Sequence, residues 1–454
     1  AASGSPAWGT CDPCPRTPER AERGASKQAI VMANNGEVNT MTAGANTSAD
    51  VIIVGAGPGG AAAAHYLAQR GLEVALLEKS TFPRDKVCGD GLTPRAVAEL
   101  ISMGVPTREE DGWIRNTGLR VIGGGHTIEM DWPDLESCPN YGLVRARTDL
   151  DETLARHASA TGAKLLEGVN ATKLLRDDDG RINGVLAKKV DERGRATGEP
   201  EQTFHAPFVI DAGGVAARLA TAAGREKRND RPMGVAVRTY FKTPRHDDSM
   251  MESHLELWDG EPNKSDLLPG YGWIFGLGNG LSNVGLGSVS STAKATKIDY
   301  KDIFARWMEN VPAEWGFTPE NQVGELRSAA LPMAFNRQPL YADGMLLVGD
   351  SGGMVSPYNG EGIAYAMQAG RVAADVIAQA IARPTASSRE RAMDAYPRLM
   401  KSELGGYYAL GKQFVRIIEH PQIMRVCTKY GLPRPLLMKF VHKLLSDSYD
   451  RTGG

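Results

Sequence analysis

Hydrophobic positions fall into two regimes along the chain. Short, continuous apolar runs bounded by glycine or polar turns recur at VIIV (51–54), EVALLE (73–78), FVID (208–211) and MLLV (345–348), which predicts buried parallel strands. Between them, apolar positions at helical spacing predict helices from Ala61 towards Gly71, over TPRAVAEL, from Arg147 through Leu150, Leu154 and His157, and from near Glu361 onwards. Residues 233–290 behave differently. MGVAVRTYF, SHLELW, GYGWIFGLG and LSNVGLGSV alternate or run apolar, with a hairpin signal at Gly278-Asn279-Gly280, and predict an antiparallel sheet. The expected class is α/β: a Rossmann-type domain, an inserted antiparallel-sheet substrate domain and a C-terminal helical region.

The expected boundaries follow these changes of character. Residues 1–49, rich in small and polar residues without periodicity, are expected to be a disordered tail. Segments 50–100, 143–225 and 328–384 are assigned to the nucleotide-binding domain, 101–142 and 226–327 to the substrate domain, and 385–454 to the helical region.

The chemistry concentrates at the first strand. Gly55, Gly57 and Gly60 form G-x-G-x-x-G between a strand and a helix, and Glu78 ends the next strand about twenty residues later. Gly55 permits the tight turn, Gly57 lets backbone approach a pyrophosphate, and Gly60 allows close helix–strand packing. Glu78 can accept from a ribose hydroxyl. Arg84 and Lys86, in the irregular loop that follows, are candidates to neutralise phosphate. Cys88 is either a small buried filler or a group facing the cofactor.

Composition narrows the class. A net charge of −2 with 42% hydrophobic and 23% charged residues fits a soluble globular protein and excludes a nucleic-acid footprint. No apolar run approaches the roughly 18 residues of a membrane span, and no signal peptide is expected. Cys11 and Cys14 make a lone C-x-x-C without a second pair, so no metal site is expected; Cys88, Cys138 and Cys427 are isolated, as in a reducing cytoplasm. Within 401–451, nine Lys/Arg face four Asp/Glu, which leaves open a solvated helical cap or a peripheral membrane face.

The glycine motif, Arg147 before a helix and GDSGG…PYNGEGI resemble FAD-dependent proteins of the para-hydroxybenzoate hydroxylase fold. FPRDKVCGDGLTPRAVAEL, and YGWIF followed by Gly285-Leu286-Gly287, are similar to the geranylgeranyl reductase family, actinobacterial menaquinone reductases included. The resemblance spans residues 50–445. It implies a non-covalent FAD held by the glycine motif, Glu78, Arg84, Arg147, Asp350 at a strand end, and backbone at Gly360 and Gly362. It also implies reduction of double bonds in a polyprenyl lipid or quinone, with Tyr271, Trp273 and Phe275 lining the substrate cavity and Cys88 near the flavin. Gly285 and Gly287 are expected to leave space beside that wall. The chain departs from the pattern at Gly213 (usually Asp), Ala217 (usually Ser) and Gly276 (usually Pro). No second nucleotide motif names the electron donor, NAD(P)H or a reduced ferredoxin. Flavin monooxygenases and halogenases are the alternative within the fold, and a non-catalytic prenyl escort is the alternative outside enzymes.

Overall fold

The computed structural model describes residues 46–290 and 298–447. The apolar runs build a six-stranded sheet in the order Tyr341–Ala342, Met345–Leu347, Phe208–Asp211, Val51–Val54, Val74–Glu78 and Lys164–Glu167. All its pairings are parallel except the first. Parallel strands covered on both faces need apolar residues at every position, and Val51, Ile52, Ile53, Leu76, Leu77, Val209 and Ile210 are all buried. The alanine-rich helix Pro58–Gln69 packs on the long helix Ile363–Ile381. Small residues make this possible: a Cβ on Gly370 would overlap the Gly59 carbonyl, and one on Gly59 would stand 2.8 Å from Val348.

A second sheet of seven strands runs Gln322–Pro332, Met233–Lys242, Leu281–Ser290, Gly270–Gly276, Met250–His254, Gly118–Gly123 and His126–Asp131. Its one parallel pair joins Met250–His254 to Gly118–Gly123. The alternation has a direct reading here. Ile274, Val284, Leu286 and Val237 face the amphipathic helix Tyr300–Glu309 with Phe304 and Trp307, whereas Trp273, Phe275, Met251 and Tyr240 face the nucleotide-binding side. The strand expected over SHLELW lies earlier, at Met250–His254, and Trp258 keeps only an isolated bridge to Leu267.

A four-stranded sheet carries the hairpins of 169–205. Its edge corrects the disordered-tail expectation: Asn46–Ser48 form a strand parallel to Gln202–His205. The rest of that tail, with Cys11 and Cys14, lies outside the described residues. The helical end of the chain comprises Ala386–Met393, Ala395–Ile418, Pro421–Val426 and Pro435–Leu445.

Candidate active site

The carboxyl ends of Val51–Val54, Val74–Glu78, Phe208–Asp211 and Met345–Leu347 point to one edge, where open α/β sheets bind ligands. At Gly55, φ is +103° and a Cβ would overlap the Ala212 carbonyl; at Gly60 a Cβ would overlap the Gly55 carbonyl. Gly57 is different. Its φ is ordinary, and a Cβ there would meet only Arg84 Nη2 at 3.9 Å. Two glycines therefore serve the turn, and the third keeps space open at a helix N-terminus that has no side-chain cap. That is an anion cradle with room for a pyrophosphate.

Glu78, 4% exposed, accepts from the Ala56 N–H at 3.0 Å, the Ser80 N–H at 3.1 Å and Arg84 Nη2 at 3.2 Å. Arg84 reaches on to Asp151 at 2.7 Å, while its Nε is buried without a hydrogen-bond partner among the described residues. Arg147 is buried and forks onto Asp151 with two bonds of 2.7 Å, the Cys88 thiol lying against the same guanidinium. Burial opposes both charges, but Arg147 and Arg84 outweigh it at Asp151, whose carboxyl is held below its usual range. Lys86 pairs with Asp350 at 3.0 Å. Both loop cations are thus engaged by carboxylates in this structure.

Gly360 adopts φ +75°, and a Cβ on Gly362 would stand 3.4 Å from Asp350 Oδ1, so the turn entering Ile363–Ile381 brings bare backbone to the same edge as Asp350. The open cradle at Gly57, the orphaned Arg84 Nε, Asp350 in the short 3-10 turn Gly349–Gly352 just past its strand, and this second turn fit an extended dinucleotide laid across the strand ends. FAD would be held by Gly55, Gly57, Gly60, Glu78, Arg84, Arg147, Asp350, Gly360 and Gly362.

The aromatic stripe sits against this edge, but its members do different things. Trp273 and Phe275 are 6% and 7% exposed and pack on the cofactor loop: a Cβ on Gly89 would lie 3.2 Å from Phe275 and 3.4 Å from the Trp273 nitrogen. Contrary to expectation, Gly285 leaves no space for a ligand. The Trp273 indole lies across it, and a Cβ there would overlap the ring. Tyr271 is half-buried and reaches the other loop, donating to the Asn359 carbonyl at 2.5 Å. Gly276 has a local cause as well, since a Cβ would stand 2.8 Å from the His246 carbonyl carbon.

The sequence reading missed the group that binds wall to loop. Asp90, fully buried at φ +64°, accepts from the Arg147 N–H at 3.1 Å, Tyr240 Oη at 2.9 Å and Asn283 Nδ2 at 2.7 Å. Asn283 also donates to the Cys88 carbonyl at 2.8 Å and accepts the Trp273 N–H at 2.8 Å. Burial raises the Asp90 carboxyl to about 6 against the pull of Asn283, Arg238 and Tyr240. The only local signal was a charged residue between two glycines in CGDG. Asp151, by contrast, stood four residues after Arg147 on a predicted helix, an i,i+4 pairing that could have been read.

Comparison with known proteins agrees with an FAD-binding fold. The FAD binding domain family matches residues 48–398. A menaquinone reductase of Mycobacterium tuberculosis is 35% identical over 400 residues, covering 88% of this chain and 91% of that protein. A digeranylgeranylglycerophospholipid reductase of Methanothrix thermoacetophila is 29% identical, covering 82% and 86%. Among solved structures, a geranylgeranyl bacteriochlorophyll reductase-like protein of Thermoplasma acidophilum matches with TM-score 0.64 at 22% identity, covering 88% of this chain and all of that one. A flavin-dependent brominase matches with TM-score 0.67 at 22% identity, covering 90% and 96%, a likeness of fold alone. The chain belongs to the FAD-binding domain family and, within it, to the family of the menaquinone reductases.

Proposed function

We propose that this protein saturates carbon–carbon double bonds in the polyprenyl chain of menaquinone or of a geranylgeranyl lipid. The observation that carries the reading is the apposition of an apolar wall, Tyr271 to Phe275, to the loop that closes the FAD cradle, in a chain similar over 88% of its length to a menaquinone reductase. A prenyl unit offers only apolar surface, and such a wall complements it, whereas a small phenol needs fixed polar partners. FAD, when bound and reduced, supplies a hydride. The chain's own residues orient the cofactor, exclude water through the wall and supply the matching proton. Tyr271 and Trp273 shape the substrate side, and Cys88 stands beside Arg147 at the flavin loop. The electron donor to the flavin, NAD(P)H or a reduced ferredoxin, is a separate matter from this step.

A polyprenyl substrate resides in a membrane, and the C-terminal helices suit its surface. No helix among the described residues is long and apolar enough to cross a membrane. Leu436 is 84% exposed and Phe440 65%, with Val426 and Tyr430 also exposed, and Arg425, Lys429, Arg434 and Lys439 stand among them. Apolar side chains rimmed by cations fit an anionic lipid surface. Peripheral association there is part of the same proposal, for a protein working from the cytoplasmic side.

The test is anaerobic incubation of the FAD-loaded protein with menaquinone and a chemical reductant, followed by mass spectrometry. Products should gain two mass units per reduced double bond. A gain of sixteen that requires oxygen would overturn the reading in favour of a monooxygenase. Flavin binding without turnover of any prenyl lipid would favour an escort.

A further inference from the structure

Three elements from distant parts of the chain converge on one carboxyl group. Glu361 lies between Gly360 and Gly362, in the turn that enters Ile363–Ile381. Its Oε1 accepts the Thr93 hydroxyl at 2.8 Å, at the start of the helix Pro94–Ser102. Its Oε2 is buried and has no hydrogen-bond partner among the described residues. A buried carboxylate oxygen left bare is costly, whereas a protonated carboxyl can keep its O–H for an incoming group.

The charged and titratable groups facing Glu361 are Arg95 of Pro94–Ser102, Asp447 beyond Pro435–Leu445, Tyr271 of the wall strand, Tyr365 of Ile363–Ile381, and Tyr407 and Tyr408 of Ala395–Ile418. Arg95, the cation among them, forms its ion pair with Asp447 at 3.0 Å. Burial therefore dominates and raises Glu361 to about 7, with Asp447 adding to the rise and Thr93, Arg95 and Asn359 pulling the other way. Near neutrality a large share of Glu361 holds a proton.

The other acids at the site are committed elsewhere. Asp90 receives three donors, from the Arg147 N–H, Tyr240 and Asn283, and so serves as the acceptor that ties wall to loop. Cys88 has its sulfur against Arg147 and its carbonyl held by Asn283. Resting on the reductase reading, we infer that Glu361 is the proton donor to the alkene. Each double bond receives one hydrogen and both electrons as a hydride from the reduced flavin, which is oxidised. The Glu361 O–H bond breaks as the second C–H bond forms, and water returns the proton before the next turnover. The position between two glycines of the cofactor turn, beside Tyr271 of the substrate wall, is where both reaction partners can be reached.

The experiment compares wild type with Glu361→Gln, which keeps an acceptor for Thr93 and nearly the same volume. Wild-type turnover under anaerobic conditions with dithionite should fall as pH rises through about 7, because only the protonated acid donates. The Gln variant should bind FAD and accept electrons from dithionite as wild type does, yet saturate menaquinone about 10²–10⁴-fold more slowly, the range for a lost general acid, with no pH limb. Unfolding of the apoproteins gives a readout independent of turnover. Since the folded pKa is raised, wild type should lose stability relative to the variant as pH rises from about 4.5 through 7. A difference that stays flat over that window would overturn the inference, as would full-rate saturation by the variant with the wild-type pH profile. Glu361→Asp, a second variant should the first fold poorly, should retain the pH limb at reduced rate; its absence there counts against the donor. No saturation by wild type at any pH would sink the reductase reading itself, a result separable from the others.

Discussion

A glycine can be present for its own backbone or for what must come near it, and this site contains both kinds. Gly57 has φ −75° and open space where a side chain would begin, so Gly57→Ala should fold with stability within about 0.5 kcal/mol of wild type. The added methyl would stand where the phosphates approach the helix N-terminus, and FAD affinity should drop at least about tenfold, near 1.4 kcal/mol. Flavin fluorescence titration beside thermal melts checks the pair of outcomes; a large loss of stability with affinity kept would mean the position is structural. Gly285 is the opposite case. Its Cβ would stand 2.7 Å from the Arg238 Cβ as well as against the indole, so Gly285→Ala should destabilise by about 1–3 kcal/mol through overpacking and displace Trp273. Urea unfolding and the tryptophan emission spectrum should both shift. Asp90→Asn has a signature in pH. The folded carboxyl titrates near 6 rather than 3.8, so the wild type loses stability as pH rises through that interval. The variant should gain on wild type over the same interval, and equal slopes would show that Asp90 does not titrate there.

Periodicity made the secondary elements readable but not the partners of their side chains. VIIV, FVID and MLLV had to be buried on both faces, and the strand–glycine–helix order fixed the cradle. The stripe Tyr271, Trp273, Phe275 was also legible, because spacing of two puts the three on one face. What lay opposite that face was not. Tyr240 meets Asp90 across 150 residues and Asn283 meets it across 193, separations that no local pattern encodes. The same limit applied to the C-terminal helices, where charge was visible but exposure was not. With Leu436 and Phe440 standing in solvent, membrane binding should rest on two contributions. Leu436→Ser with Phe440→Ser should weaken sedimentation with vesicles of any charge, by at most about 1.5–3 kcal/mol for each side chain. Raising the salt should weaken binding only to anionic vesicles. Binding unchanged by both treatments would remove these helices from the membrane interface.

Taken as one object, the chain builds the edge proposed to hold the flavin from ion pairs that bridge distant segments, and on that proposal flavin loading is tied to stability. Lys86, on the loop after the strand Val74–Glu78, meets Asp350, 264 residues later, at 3.0 Å; Arg84 ties the same loop to Glu78 and Asp151. A ligand that binds only the folded chain stabilises it by about 2.7 kcal/mol at a concentration one hundred times its dissociation constant, so FAD should raise the melting temperature in a concentration-dependent way. Asp350→Ala separates the contributions. In the apoprotein it removes an ion pair whose lysine is about a third exposed, and surface pairs of that kind contribute roughly 0–1 kcal/mol, so the apo melting temperature should hardly change. In the loaded protein it removes an acceptor at the strand end facing the cofactor turn, where a charge-assisted bond contributes about 1.5–3 kcal/mol. The variant should therefore match wild type without FAD and fall short of it with FAD, requiring about ten- to a hundredfold more flavin for the same melting temperature. Parallel melting curves across an FAD titration would show that Asp350 does not contact the cofactor.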